Sequence, residues 1–354
     1  MKRVVVGVLA ACALAAVIAE AQAVTPFKLG TFERAGRPIV GIVLRDTTVI
    51  DFAAAHAAIR TPASTVAAPA DMKDLIARYD AGLRARIGEI VRSVEAAGAT
   101  RPAYVYDVKA LKILPPIMYP AAMVNVAVNY REHDREMGGT TLGAAAPGTQ
   151  SAAGIWQRAA GDERWNPYMF LKSPTTIVAE GEAVVLPPGR TQVDWECELG
   201  VVISKPALRV PVATGRDFIF GYTVHNDVSD RGGRGDSRMG TDWLISKNHD
   251  TFGPLGPFII PKEFLADPHT IKVRFALNGK VLQDADTSFM IHNVYEQVAY
   301  ATNIMTLRAG DIVATGTPAG VGSAMKPPVY FKPGDTSACT YEGVGTLTNP
   351  ITGS

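Results

Sequence analysis

The stretch QVDWECELGVVI, residues 192–203, constrains what this 354-residue chain can fold into more than any other. Its spacing reads as a β-strand, in which residues i and i+2 face the same side. Asp194, Glu196 and Glu198 therefore share one face. Trp195, Cys197 and Leu199 share the other, followed by apolar Val201, Val202 and Ile203. Like charges at this spacing on a half-buried strand repel, and each raises its neighbour's proton affinity. Either positive charge sits between them, or that face is open to water.

The strand lies in a chain punctuated by 33 Gly and 24 Pro, which argues for a turn-rich, β-dominated α+β architecture over a helical bundle. With 47% hydrophobic residues and 19% charged ones, there is material for one large domain and a smaller one. A net charge of +1 gives no electrostatic case for a nucleic-acid partner or an anionic membrane.

The N-terminus reads as a targeting segment: basic MKR, an apolar run from Val4 to Ala19, then small residues at Ala21 and Ala23, with cleavage before Val24. The apolar run is short of the roughly 20 residues a membrane span needs. LAAC, ending at Cys12, is the rival reading, a lipoprotein box with Cys12 lipidated. Export to a periplasm, with no membrane attachment after cleavage, is the expectation. Cleavage leaves Cys197 and Cys339, and two cysteines are no disulfide framework. A buried free thiol at Cys197 is the expectation.

Residues 24–115 read as a small N-terminal β domain with a helical linker. FKLGTFERAGRPIVGIVLRDTTVIDF alternates around Ala35-Gly36-Arg37 as a hairpin followed by a further strand. Asp71 to Val94 has helical period, with Leu75, Tyr79, Leu83, Ile87 and Ile90 on one face. From residue 116 to 354 the texture is that of a second domain. Val124 to Val128 is a strand, and Gly138 to Asp162 reads as a long loop or lid, within a lid region of about 130–165. Asn278-Gly279 centres a hairpin. MIHNVYEQVAYATNIMTLRAGD reads as one helix ended by Gly310, with Val294, Val298 and Ala301 inward.

Three groups of residues could carry chemistry. Glu196, Glu198 and Asp227, the last following the apolar run Phe218–Val224, form either a hard oxygen site for Mg2+ or Ca2+ or a set of solvated carboxylates. No Cys/His spacing suggests zinc. TGTPAGVG, residues 315–322, is either an anion-binding turn or a plain strand end, and no Lys follows its glycines as a P-loop requires. His133 and Glu136 are neighbours at i and i+3 if their segment is helical, either a water-activating pair or an ordinary surface pair.

Taken together and in order, NYREHDREM, PYMFLKSPTTIV, VDWECELGVVI, GYTVHNDVSDR, SKNHDTFGPLGP, LNGKVLQDADTSFMI, LRAGDIVATGTPAGVG and KPGDTSACTYEGVGTLTNP resemble the fumarylacetoacetate hydrolase superfamily over roughly residues 120–350. The resemblance implies a fumarylacetoacetase-like mixed β-roll preceded by a small β domain, and a homodimer. It implies that Glu196, Glu198 and Asp227 bind a divalent metal, Mg2+ or alternatively Ca2+ or Mn2+. It makes His133 and Glu136 the dyad of a lid, Lys247 a catalytic cation, and Tyr130, Arg231 and Thr317 substrate contacts. Arg234 stands where many members carry a substrate-contacting Gln. An extra cation there favours a more anionic substrate, or else the loop is shifted and Arg234 points outward.

The activity so implied is metal-dependent hydrolysis of a carbon–carbon bond in a small β-diketo acid of the acylpyruvate or fumarylpyruvate type. The alternatives are a decarboxylase, isomerase or hydratase of a 2-oxo acid using the same enolate chemistry, or an exported binding protein without turnover. Intact-mass analysis of protein secreted from a native-like host is expected to find Val24 as the first residue. A lipid adduct on Cys12 would show membrane anchoring instead.

Overall fold

The structure, a computed structural model, describes residues 25–98, 100–138, 151–157, 159–162, 164–236, 238 and 240–354. The expected leader segment and much of the expected 138–162 loop lie outside these residues. The chain opens with β1 (Lys28–Arg34), β2 (Arg37–Leu44) and β3 (Thr48–Asp51). The expected hairpin turn falls at Ala35 and Gly36, whose φ values of 49° and 73° suit a two-residue connection between twisted strands. Asp51 then caps α1 (Phe52–Ala58) by accepting the Ala54 N–H.

The amphipathic run after Asp71 is two helices, not one: α2 (Met72–Ala77) and α3 (Leu83–Ala96). A 3-10 turn at Tyr79–Ala81 and a left-handed Gly82 (φ 112°) separate them. Leu75, Tyr79, Leu83, Ile87 and Ile90 are nonetheless all buried, because the break reorients the axis without losing the apolar face. Then come β4 (Val105–Asp107) and β5 (Lys112–Leu114).

The remainder is built from β6 (Met123–Ala127), α4 (Arg131–Glu136), β7 (Tyr168–Leu171), β8 (Ile177–Val178), β9 (Val184–Leu186), β10 (Val193–Asp194) and β11 (Cys197–Ile203). It continues with β12 (Ile219–Asn226), β13 (Ser229–Asp230), α5 (Trp243–Lys247), β14 (Gly253–Pro261), β15 (Lys272–Leu277) and β16 (Lys280–Asp286). It closes with α6 (Val294–Ile304), β17 (Ile312–Ala314), β18 (Thr336–Tyr341) and β19 (Gly345–Gly353). The β15–β16 turn is at Asn278-Gly279, both at positive φ, as expected.

Among the described residues the main sheet runs β4-β3-β2-β1-β14-β12-β11-β17-β6-β7, with β5 on β1 and β8 on β14. Leu29 of β1 pairs with Ile259 of β14, so the N-terminal strands extend the central sheet. Most pairings are antiparallel, but β17 and β6 run parallel. A second sheet, β16-β15-β18-β19-β9, packs on β11, β12 and β14. The architecture is a mixed, sheet-rich α+β fold without a closed barrel.

The alternation read in residues 192–203 explains how β11 is used. Trp195, Cys197, Leu199, Val201 and Ile203 all enter the core between the two sheets, where Trp195 stacks on Phe275 with ring centroids 4.8 Å apart. On the opposite face Val202 enters a separate core with Leu83, Ile87 and Ile90 of α3. The N-terminal helices thus cover one end of that face, and the carboxylates occupy its other end.

Two expectations are corrected. Cys197 is no free thiol: it is joined to Cys339 across the stacked sheets, 142 residues away, with both residues buried. Cys197 faces the second sheet by strand alternation and Cys339 faces back from β18, a meeting that spacing along the chain cannot reveal. The helix containing Val294, Val298 and Ala301 buries all three but ends at Ile304. Met305 is extended, and Gly310 (φ 85°) belongs instead to the turn that enters β17.

Of the long segment before β7, residues Ala152 and Trp156 bridge each other, and Trp156 packs edge-on against His292 and Tyr300. No helix among the described residues is long and apolar enough to cross a membrane.

Replacing Cys197 and Cys339 together by alanine is expected to cost about 2–5 kcal/mol, because the bridge closes a very long loop in the unfolded chain. A lowered urea midpoint, with a slope that holds or steepens as the unfolded chain expands, would record it; an unchanged midpoint would mean the bridge does not constrain the unfolded state.

Candidate metal centre and active site

The site begins where two antiparallel strand pairs meet. Cys197 of β11 pairs with Asn226 of β12, and Val193 and Asp194 of β10 pair with Asp230 and Ser229 of β13. Between them the Asp227 N–H donates to the Glu196 carbonyl at 2.8 Å. This register sets Asp227 across from Glu196 and Glu198, and one oxygen from each of the three buried carboxylates lies within 4.8 Å of the others.

Positive charge does sit between them. Lys247, in the last turn of α5, donates to Glu196 Oε2 at 2.9 Å, Asp227 Oδ2 at 2.7 Å and Ser229 Oγ at 2.7 Å. Lys172, just after β7, donates to Asp227 Oδ1 at 2.6 Å and is fully buried. Arg231 bridges Asp194 Oδ1 (2.8 Å) and Glu196 Oε1 (2.6 Å), so the two carboxylates share one cation.

These contacts split the carboxylates electrostatically. Burial would raise Asp227, but Lys172 and Lys247 overcome it and hold the carboxyl well below its usual range. Burial likewise opposes ionisation of Glu196, and Lys247 and Arg231 outweigh it. Glu198 has no such partner. Burial, then the charges of Asp227 and Glu196, push it well above the ordinary carboxylate range. Among the described residues its Oε2 accepts only the Gly316 N–H at 3.1 Å, and its buried Oε1 has no partner. Lys247 is held above its ordinary value, Asp227 and Glu196 together overcoming the cost of its burial.

Over this cluster lies α4. His133 is buried, and its Nδ1 is 2.7 Å from Glu136 Oε1. Glu136 is pinned by its other oxygen, which accepts the Gly320 N–H at 2.9 Å. The turn after β17 thus presents two N–H groups to two carboxylates, Gly316 to Glu198 and Gly320 to Glu136. Both glycines need positive φ (84° and 104°), and a Cβ would lie 2.8 Å from Asn129 Cβ at the first and 2.1 Å from the Leu282 carbonyl at the second. TGTPAGVG is an anion-holding turn whose anions belong to the protein itself.

Residues 122–352 match the family described as fumarylacetoacetate (FAA) hydrolase, C-terminal. The chain belongs to this family. It is 34% identical over 238 residues to the mitochondrial oxaloacetate tautomerase of Rattus norvegicus, covering 67% of this chain and 68% of that one. Among solved structures it is similar to a maleylpyruvate hydrolase from Sphingobium sp. SYK-6 in complex with manganese(II) and pyruvate (TM-score 0.66, 26% identity, 92% of this chain and 99% of that one). A 5-carboxymethyl-2-hydroxymuconate delta-isomerase from Mycobacterium smegmatis is similar at TM-score 0.62 and 28% identity, again over 92% and 99%.

The family's hard-ion chemistry fits the residues present. Three convergent carboxylates form an all-oxygen donor set, and the partnerless Glu198 Oε1 is an anionic donor that only a cation or a proton can compensate. Glu196, Glu198 and Asp227 would hold the ion, with Lys172 and Arg231 orienting two of them from behind.

The other expected residues have definite places. Arg231 spends its guanidinium on Asp194 and Glu196. The Thr317 hydroxyl donates to the Cys197 carbonyl (3.1 Å) and accepts from Gln283 (2.8 Å), tying the turn to the ligand strand. Tyr130, the N-cap of α4, is fully buried in the main core, and burial pushes its hydroxyl up. Arg234 is exposed and faces Asp236 at 3.5 Å, so it takes the outward of its two expected positions. Lys172 was missed as a site residue, although a lysine closing the apolar run YMFL is an unusual residue to bury and marks the place.

Glu198→Gln removes an anionic donor from a crowded carboxylate cluster. The raised folded-state proton affinity of Glu198 means that ionising it destabilises the metal-free protein as pH rises, so the variant's metal-free stability at neutral pH is expected to hold or increase. Its Mg2+ or Mn2+ affinity is expected to fall by at least the roughly 10–100-fold that even outer partners of a metal ligand cost. Titration calorimetry showing undiminished affinity would remove Glu198 from the ligand set.

Proposed function

We propose that this protein is a divalent-metal-dependent hydrolase of a carbon–carbon bond in a small β-diketo 2-oxo acid. The observation that carries the reading is the His133–Glu136 pair, in which His133 is buried and the partly exposed Glu136 is fixed by the Gly320 N–H. A bound divalent ion would supply Lewis-acid polarisation of the 2-oxo group. Glu136 accepts from Nδ1 and orients the ring, which leaves Nε2 as the acceptor for a water proton. The resulting hydroxide adds to the distal carbonyl carbon. The bond to the neighbouring carbon then breaks, its electron pair passes to the 2-oxo fragment as an enolate, and that carbon recovers a proton from His133. Lys247, kept protonated by Asp227 and Glu196, supplies buried positive charge against the enolate oxygen.

A second reading is tautomerisation or isomerisation of a 2-oxo acid, in which His133 moves a proton at carbon and no water attacks. Its support is the likeness to the oxaloacetate tautomerase and the delta-isomerase. Export to an oxidising compartment remains part of the proposal, and the buried Cys197–Cys339 bridge supports it.

Glu136→Gln keeps the shape of the pair and removes its charge. For hydrolysis, kcat is expected to fall by roughly 10²–10⁴-fold with little change in substrate affinity. Acylpyruvate cleavage and oxaloacetate tautomerisation, each measured with Mg2+ and with chelator, complete the test. Near-normal cleavage by the variant would sink the water-activating role, and tautomerisation without cleavage would favour the second reading.

A further inference from the structure

Phe170 and Lys172 are two residues apart at the end of β7, so both side chains leave the strand on the same side. Lys172 reaches Asp227 at 2.6 Å, which fixes that side as the one facing the metal cluster. The Phe170 ring accordingly lies with its centroid 5.3 Å from Lys247 Nζ. Trp243 and Lys247 are one turn apart on α5 and share its face. The Trp243 ring stands 4.7 Å from Phe170 and 5.5 Å from Tyr168, which is 40% exposed. Three aromatic rings therefore run in contact from the buried Lys247 ammonium outward to solvent.

The cations near the site are already committed: Lys172 pairs with Asp227, Arg231 with Asp194 and Glu196, and Lys247 with Glu196 and Asp227. A second substrate carboxylate would add an uncompensated negative charge beside low-dielectric aromatic surface. The arginines on the loop before α5, Arg234 and Arg238, both pair with Asp236 and not with the wall.

We propose that Phe170, Trp243 and Tyr168 form the specificity wall of the site, and that the substrate is a monocarboxylate 2-oxo acid whose far end is apolar, best an aryl or conjugated acyl group. This rests on the proposed 2-oxo-acid chemistry and adds the substrate class. The rings offer faces for stacking a flat tail, and the one carboxylate is reserved for the metal end.

The test compares three substrates with the full chain and Mn2+: a 4-aryl-2,4-dioxobutanoate, its 4-methyl counterpart, and a dicarboxylate 2-oxo acid. The expected order of kcat/KM is aryl, methyl, dicarboxylate, with about tenfold or more between the first and last. In Trp243→Ala and Phe170→Ala the aryl-over-methyl preference is expected to shrink by roughly tenfold, and circular dichroism checks that each variant folds. Calorimetric binding of phenylpyruvate against oxalate, to native protein and to both variants, separates the two layers of the reading. Selective loss of phenylpyruvate binding without any turnover would keep the wall and overturn the reaction. A dicarboxylate used as well as the aryl acid, or variants that leave the preference for the ring untouched in both binding and turnover, would overturn the wall.

Discussion

The buried ammonium of Lys247 among Glu196, Asp227 and Ser229 is the interaction on which the rest of the site depends. Three carboxylates this close cannot all ionise inside a protein unaided, because burial and mutual repulsion both favour their neutral forms. Lys247 and Lys172 favour the anionic form of Asp227, and Lys247 and Arg231 favour that of Glu196. Glu198 is left without a cationic partner, so the cluster is compensated on two members and open on the third. A divalent ion completes an arrangement of that kind.

The fold exists, on this view, to keep that cluster in register. The two strand pairs set the carboxylates across from one another, and the opposite face of the same strand is locked into the inter-sheet core by Trp195, Leu199 and the Cys197 bridge. The turn after β17 connects the carboxylate cluster to the His133–Glu136 pair, since its backbone holds Glu198 through Gly316 and Glu136 through Gly320. Glu198 and Glu136 are thereby positioned by one turn whose two glycines tolerate no side chain. This couples the placement of the dyad to the placement of the ligands without any direct contact between them.

Burial of charge at one end of β11 and of apolar surface at the other also accounts for the N-terminal segment. Val202, Phe220 and Ile312 would be exposed on the sheet's outer face but for α3, and Leu83, Ile87 and Ile90 cover them. The face is divided between a buried, charged end that gathers the carboxylates and an apolar end that contributes stability. Apolar surface in such a core contributes about 25 cal/mol per Å2 removed from water, which helps offset the desolvation of the charged end.

Local patterns were legible in the residues themselves. Period-two alternation put Asp194, Glu196 and Glu198 on one face and Trp195, Cys197 and Leu199 on the other. Asn278-Gly279 and Ala35-Gly36 marked their turns because few other residues accept positive φ. The ordered segments around His133, Glu196, Asp227, Lys247 and Thr317 carried the family resemblance. What the sequence could not decide was whatever needs two distant strands to meet. The Cys197–Cys339 bridge, the burial of Lys172 against Asp227, the outward turn of Arg234 and the alignment of Phe170 with Trp243 all depend on how sheets stack and helices land. The break at Gly82 and the early end of α6 were missed for a related reason, because apolar period reports which face is buried and not where the axis bends. A residue's own side of its strand is set by backbone geometry within two positions, whereas its partner is set by packing across the whole domain.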